Sequence, residues 1–234
     1  DILTFTIDPD EAKDFDDALS FQILNTGNYQ VGIHIADVTH YVQEQTALDD
    51  EAYHRGTSIY LVDRVIPMLP ERLSNELCSL RPHEDKLCMS VVVEIDPNAK
   101  VIRHKICRTV ICSDYRLTYR QAQDILENTN TSSFSGSNDK KLSEALHVLD
   151  TLAKQLRANR FRQGAINFES PEVHFRLNDQ GEPTEIFFHN SLDTNHLIEE
   201  FMLLANRIVA AEIGRKKKDP QSETKEPSKP FVYR

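Results

Sequence analysis

Four aspartates, Asp8, Asp14, Asp16 and Asp17, crowd into TIDPDEAKDFDDALS with the spacing D-x5-D-x-D-D, directly after the alternating stretch Leu3, Phe5, Ile7. From Asp1 to Asp17 there are seven acids against one base, Lys13. No other feature restricts the fold as strongly. Carboxylates at contact distance either retain a proton or recruit a cation. For an all-oxygen site that cation is a hard divalent one, Mg²⁺ or Mn²⁺.

Three readings of the run compete. An EF-hand calcium loop needs an oxygen ligand at its fifth position, Gly at the sixth and Glu at the twelfth. Counted from Asp8, those positions are Ala12, Lys13 and Leu19, and all three fail. A solvated acidic loop is the usual fate of a charge run, yet Phe15, Ala18 and Leu19 interleave apolar residues that tie this one to a core. A catalytic metal site accounts for both the charge and the apolar residues. Phosphodiester hydrolysis needs a metal to activate water and to stabilise the leaving oxygen. Carboxylates hold such ions while leaving coordination positions open for substrate.

At 234 residues the chain can bury a sizeable core as one large domain or two small ones. No apolar run approaches the ~18 residues of a membrane helix, and no signal peptide opens the chain. Both ends read as cut from something longer. Cys78, Cys88, Cys107 and Cys112 match no zinc spacing and read as free thiols of a reducing cytoplasm, the last three within apolar strand-like segments. The net charge of −10 argues against a nucleic-acid partner. A bound metal weakens that objection, because it puts positive charge where a substrate phosphate would sit.

Strands are expected at 2–7 and 29–36, the second after a Gly27-Asn28 turn, and at 88–95 and 101–112 as a hairpin around Asp96-Pro97-Asn98. Thr46 with Asp49, and Thr118 with Gln121, open helices to His54 and about Glu127. Residues 57–80 read as a loop broken by Pro67 and Pro70, and 128–141 as a mobile Ser-rich loop. A helix follows over Leu142–Arg162, then strands at 165–168, 172–177 and 184–188, the last two joined by a turn at Asn178–Gly181. A helix over Thr194–Ile213, apolar on most faces, reads as central and buried. The irregular mixture favours an α+β fold, a mixed or antiparallel sheet packed with helices. The expected division is a domain over 1–214, a Lys/Pro-rich loop or linker over 215–230, and the start of a further segment at 231–234.

TIDPDEAKDFDDALS, GIHIADVTHYV (32–42), RGTSIYLVDRVIPMLPERLSNELCSL (55–80), GAINFESPEVHF (164–175) and HLIEEFMLLAN (196–206) resemble, in order and over nearly the whole chain, the catalytic (RNB) domain of the ribonuclease II / ribonuclease R family. The KDFDD form looks more like the bacterial ribonuclease R type. The resemblance implies a processive 3′-to-5′ exoribonuclease that degrades single-stranded RNA to nucleoside 5′-monophosphates with Mg²⁺, or Mn²⁺ in its place. It implies a cytoplasmic, monomeric enzyme with cold-shock-type domains before this region and an OB-fold after it. Asp8, Asp14, Asp16 and Asp17 match the active-site aspartates and metal ligands, with Asp16 the one on which the chemistry most depends.

The same resemblance implies that Tyr60 and Phe168 stack on terminal bases and that Glu199 lies near the terminal ribose and phosphate. On residues alone, Tyr60 and Phe168 read as core aromatics, and Glu199 admits a helix-end salt bridge. Glu199 and Glu200 interrupt an apolar helix, where a buried carboxylate needs a partner or a job. His34 and Asp37 read as structural, and Lys216, Lys217 and Lys218 as a solvated linker. The family's assisting arginine has no counterpart motif here, so the chain alone is expected to be weak or inactive. The alternative is an RNA-binding or regulatory domain that keeps the fold without turnover.

Overall fold

The computed structural model describes residues 2–62, 64–127, 137–166, 172–178, 180, 182–189 and 191–214. In chain order the strands and helices are β1 (Leu3–Asp8), β2 (Asp17–Ile23), β3 (Tyr29–Ala36), α1 (Ala47–Arg55), β4 (Ile59–Tyr60), β5 (Val65–Ile66), β6 (Asp85–Ile95), β7 (Val101–Cys112), β8 (Tyr115–Thr118), α2 (Tyr119–Glu127), α3 (Ser137–Arg162), β9 (Glu172–Leu177), β10 (Pro183–His189) and α4 (Asp193–Gly214). Six strands form one sheet in the order β7-β6-β3-β2-β1-β8. All neighbours are antiparallel except β1 and β8, which run parallel. The fold is α+β with a mixed sheet, as the sequence led us to expect.

The strand pleat divides the core in two, because successive side chains point to opposite faces. On one face Phe5, Leu19, Ile33, Val91 and Val93 pack against the apolar stripes of α2, α3 and α4, including Ala122, Leu146, Leu149, Leu197 and Phe201. On the other, Ala18, Ala36, Cys88 and Ile111 pack against Phe15, Leu73, Cys78 and Leu80. The first core holds the helices to the sheet. The second ties the acidic run and the 69–80 segment to it.

Local signals act where they were read. Gly27 takes φ +82° in the turn before β3. The Thr46 hydroxyl caps α1 by accepting from Asp49 N–H at 3.3 Å. Thr118 and Gln121 form a reciprocal capping box, Gln121 N–H to Thr118 Oγ1 at 3.1 Å and Thr118 N–H to Gln121 Oε1 at 2.9 Å.

Other expectations change. β2 runs straight out of the acidic run and was not anticipated, since Asp17 opens a segment read for its charge. β8 is too short to signal. The 57–80 stretch is not featureless: it holds the β4–β5 hairpin and a wide turn over Arg72–Leu77, closed by Cys78 N–H to Leu73 O at 2.9 Å. α3 begins at Ser137, so 137–141 is helix rather than loop, while 128–136 lies outside the described residues. Ala165 and Ile166 belong to no strand, and 167–168 lie outside the described residues. α4 buries one stripe, with Leu203 and Ile208 half-buried, so it flanks the sheet rather than threading a core. Cys112 is exposed, contrary to its apolar setting in sequence, and all four cysteines are free thiols. The 215–234 segment lies outside the described residues.

Candidate active site

β1 ends on Asp8 and its antiparallel neighbour β2 begins on Asp17, so both carboxylates stand at the same end of the sheet. The intervening loop carries Asp14 and Asp16 and is held from several sides. Phe15 N–H donates to Ser79 Oγ at 3.0 Å, and the Ser79 hydroxyl donates to Lys13 O at 2.9 Å. Leu80 N–H donates to Phe15 O at 2.8 Å, and Ala36 N–H to Asp16 O at 2.9 Å. With Phe15 sunk in the second core, its neighbours Asp14 and Asp16 are left exposed.

Asp8, Asp14 and Asp16 line one cleft of about 840 Å³ with Tyr60, Arg64 and Lys13. Asp17 is not part of its wall, but its charge reaches Asp8. Tyr60, on β4, is 72% exposed and is no core aromatic.

The carboxyls feel their confinement. Burial raises Asp8 to about 7; the Thr6 hydroxyl opposes this, Asp17 adds to it, Arg116 opposes it and Asp16 adds a little more. Burial, then the Asp16 charge, raises Asp17 to about 6. Asp16 opens to the cleft yet is crowded by its walls, and this crowding, followed by the Asp14 charge, raises it too. One oxygen of Asp8 and one of Asp17 (Oδ2 in each) make no well-formed hydrogen bond, although the Thr6 hydroxyl, itself otherwise unpaired, stands close enough to Asp8 to lower it. A buried polar atom without a partner is costly, and a cation is one way to satisfy it. Among the described residues, no three Asp, Glu, His or Cys side chains converge as a preformed metal cage. An ion held here would have to rest on one or two of these carboxylates and keep part of its water shell.

Glu199 is placed elsewhere. It does not line the cleft; it is half-exposed on α4 and pairs with Arg160 at 3.4 Å and His196 at 3.3 Å. The buried carboxylate of that helix is Glu200, 3% exposed, held by Arg160 through Nη2 and through Nε at 3.1 Å. Phe168 and Lys216–Lys218 lie outside the described residues.

His34 and Asp37 are structural. The His34 ring is buried between Ser90 Oγ at 2.7 Å and Ser20 Oγ at 2.9 Å, and burial lowers it to about 4. Asp37 accepts from the Thr39 hydroxyl at 2.5 Å and pairs with Arg108 at 3.3 Å. Sequence reasoning passed over Ser79, Arg64 and Arg116. Nothing local marks them, since each meets the site only through the fold.

The RNB domain family model matches residues 1–227, and the chain belongs to that family. Among proteins similar to it are DIS3-like exonuclease 2 of Schizosaccharomyces pombe, 42% identical over 91% of this chain and 24% of that protein, and ribonuclease R of Thermotoga maritima, 44% identical over 90% and 29%. Bacterial and eukaryotic relatives thus match to a similar degree, and the chain spans about a quarter of their length. The structure of Mycoplasma genitalium RNase R in complex with ribose-methylated single-stranded RNA superposes with a TM-score of 0.83 at 31% identity, over 91% of this chain and 32% of that one.

Proposed function

We propose that the cleft is the active centre of a divalent-metal-dependent exoribonuclease that removes nucleotides from the 3′ end of single-stranded RNA as 5′-monophosphates. One observation carries the reading: three of the four clustered aspartates and an exposed tyrosine face the same cleft. The RNA named with the similar M. genitalium structure supports it. Magnesium is the proposed ion and the cytoplasm the proposed location. Among the described residues, no helix is long and apolar enough to cross a membrane.

Asp8 and Asp16 would hold the ion, with Asp14 beside them on the cleft wall and Asp17 acting on Asp8 through its charge. When bound, such an ion supplies positive charge against phosphate oxygens and an acidified water. The other tasks fall to the chain itself. Asp8 and Asp17 release their protons as the cation arrives, which couples binding to pH. Phe15 and Ser79 fix the loop so that Asp14 and Asp16 need not reorganise. Tyr60 offers its ring to the terminal base, a contact blind to sequence because every base has a π-face. Lys13 and Arg64, on the cleft wall, place positive charge where the RNA backbone enters.

The test is mononucleotide release by the full-length protein from uniformly labelled single-stranded RNA in Mg²⁺. We expect Asp16→Asn to abolish release with the fold intact, and RNA blocked at its 3′ end to resist degradation. Full release by Asp16→Asn would show that the aspartate cluster is not the active centre.

A further inference from the structure

Arg116, on β8, reaches across to the acidic loop in an unusual way. Its Nη2 donates to two main-chain carbonyls, Pro9 O at 2.7 Å and Asp10 O at 3.0 Å. Its guanidinium lies over the Phe15 ring, 5.3 Å from the centroid. It therefore grips the loop at both ends, just after Asp8 and just before Asp16. Its charge reaches Asp8, yet it forms no ion pair with any of the four aspartates. Its Nε is buried without a partner, and Asp8 Oδ2 nearby makes no well-formed hydrogen bond. Parallel pairing of β1 with β8 sets Arg116 beside Thr6 and explains the proximity.

An arginine among carboxylates would ordinarily form a bidentate pair with one of them. Here the two carbonyl bonds and the aromatic ring hold the guanidinium off. The loop is anchored through its backbone, and every carboxylate stays available to a cation.

We propose that Arg116 is a positioning residue for the metal-binding loop, acting through the loop backbone rather than as a counter-charge. The proposal rests on the reading of the aspartates as metal ligands. The two roles for Arg116 predict opposite signs. A counter-charge near a cation site weakens cation binding, so its removal tightens binding. An anchor strengthens binding by holding the ligands in place, so its removal weakens binding, by about 10- to 100-fold for a supporting residue of this kind.

The experiment measures Mn²⁺ affinity of the purified protein by calorimetry in wild type, Arg116→Ala, Arg116→Lys and Asp16→Asn. Tryptic cleavage after Lys13, within the same loop, provides a second readout. We expect Arg116→Ala to weaken Mn²⁺ binding at least ~10-fold and to speed cleavage at Lys13, with unchanged circular dichroism. Arg116→Lys keeps the charge but loses the fork, and is expected to share both defects in milder form. Unchanged or tighter Mn²⁺ binding in Arg116→Ala would overturn the proposal, as would unchanged cleavage at Lys13. If Arg116→Ala does not fold, Arg116→Lys carries the test, since a pure counter-charge role leaves it like wild type. Failure of wild type to bind Mn²⁺, or equal binding by Asp16→Asn, would sink the metal-site reading instead.

Discussion

Asp8 is the residue at which chemistry and stability most plainly conflict. A carboxyl raised to about 7 by burial holds its proton in the folded chain to higher pH than in the unfolded one. The folded state therefore binds more protons between the ordinary carboxyl range and about pH 7, and stability falls as pH rises through that window. His34, lowered to about 4, works the other way: unfolded, its imidazole is still half protonated at its ordinary 6.5, so it offsets part of the carboxyl effect until about pH 7.5. From pH 6.5 to 8 the carboxyl effect is the larger. Without divalent ions we expect the melting temperature to drop over that interval by roughly 1–2 °C, the equivalent of about 0.5 kcal/mol. Asp8→Asn should remove most of the drop, and Mg²⁺ should reduce it in wild type. A flat profile in calorimetric scans would mean that Asp8 is not held protonated.

At the scale of elements, the four strands β2, β3, β6 and β7 are stitched on one face by Ser20, His34, Ser90 and Thr109, each hydroxyl or ring nitrogen meeting the next. This chain lies in the same sheet that carries Asp17. It needs a strand with no side chain at position 32. A Cβ on Gly32 would sit 2.3 Å from Ser20 Oγ and 2.5 Å from His34 Nε2. Both neighbours are buried and already bonded, so neither gives way cheaply. We expect Gly32→Ala to cost about 1–3 kcal/mol in urea unfolding. Adding Ser20→Ala should recover part of that cost by clearing the nearer contact. A Gly32→Ala midpoint equal to that of wild type would show that the network yields freely.

Across the whole molecule, the helical layer is joined through Arg160 of α3 and Glu200 of α4. Glu200 is buried, and truncating its partner leaves a charge without compensation. Arg160→Ala should therefore destabilise the fold by about 3–5 kcal/mol. Glu199→Ala removes a half-exposed carboxylate and should cost under ~1 kcal/mol. Equal losses for the two variants in urea unfolding would refute this division of labour. The net charge of −10 is matched at the cleft, whose wall carries Asp8, Glu11, Asp14, Asp16 and Glu71 against Lys13 and Arg64.

The sheet's long strands, the capping boxes and the acidic run are legible because their causes lie within a few residues: alternation, a hydroxyl three positions from an amide, like charges in one loop. The strand β2 was obscured by that same charge. What the sequence does not show is which groups hold the run in place. Ser79 reaches Phe15 across 64 residues, and Arg116 reaches Pro9 across 107. Neither has a local signal: Arg116 meets the loop only once β1 and β8 lie side by side, and Ser79 only once the 69–80 segment packs into the second core. Glu199 and Glu200 make the same point. Adjacent in sequence and identical in type, they are separated by helix geometry alone, which turns one toward solvent and the other onto Arg160. Composition and spacing settle which chemistry the chain can attempt. Packing decides which carboxylates are left without partners to carry it out.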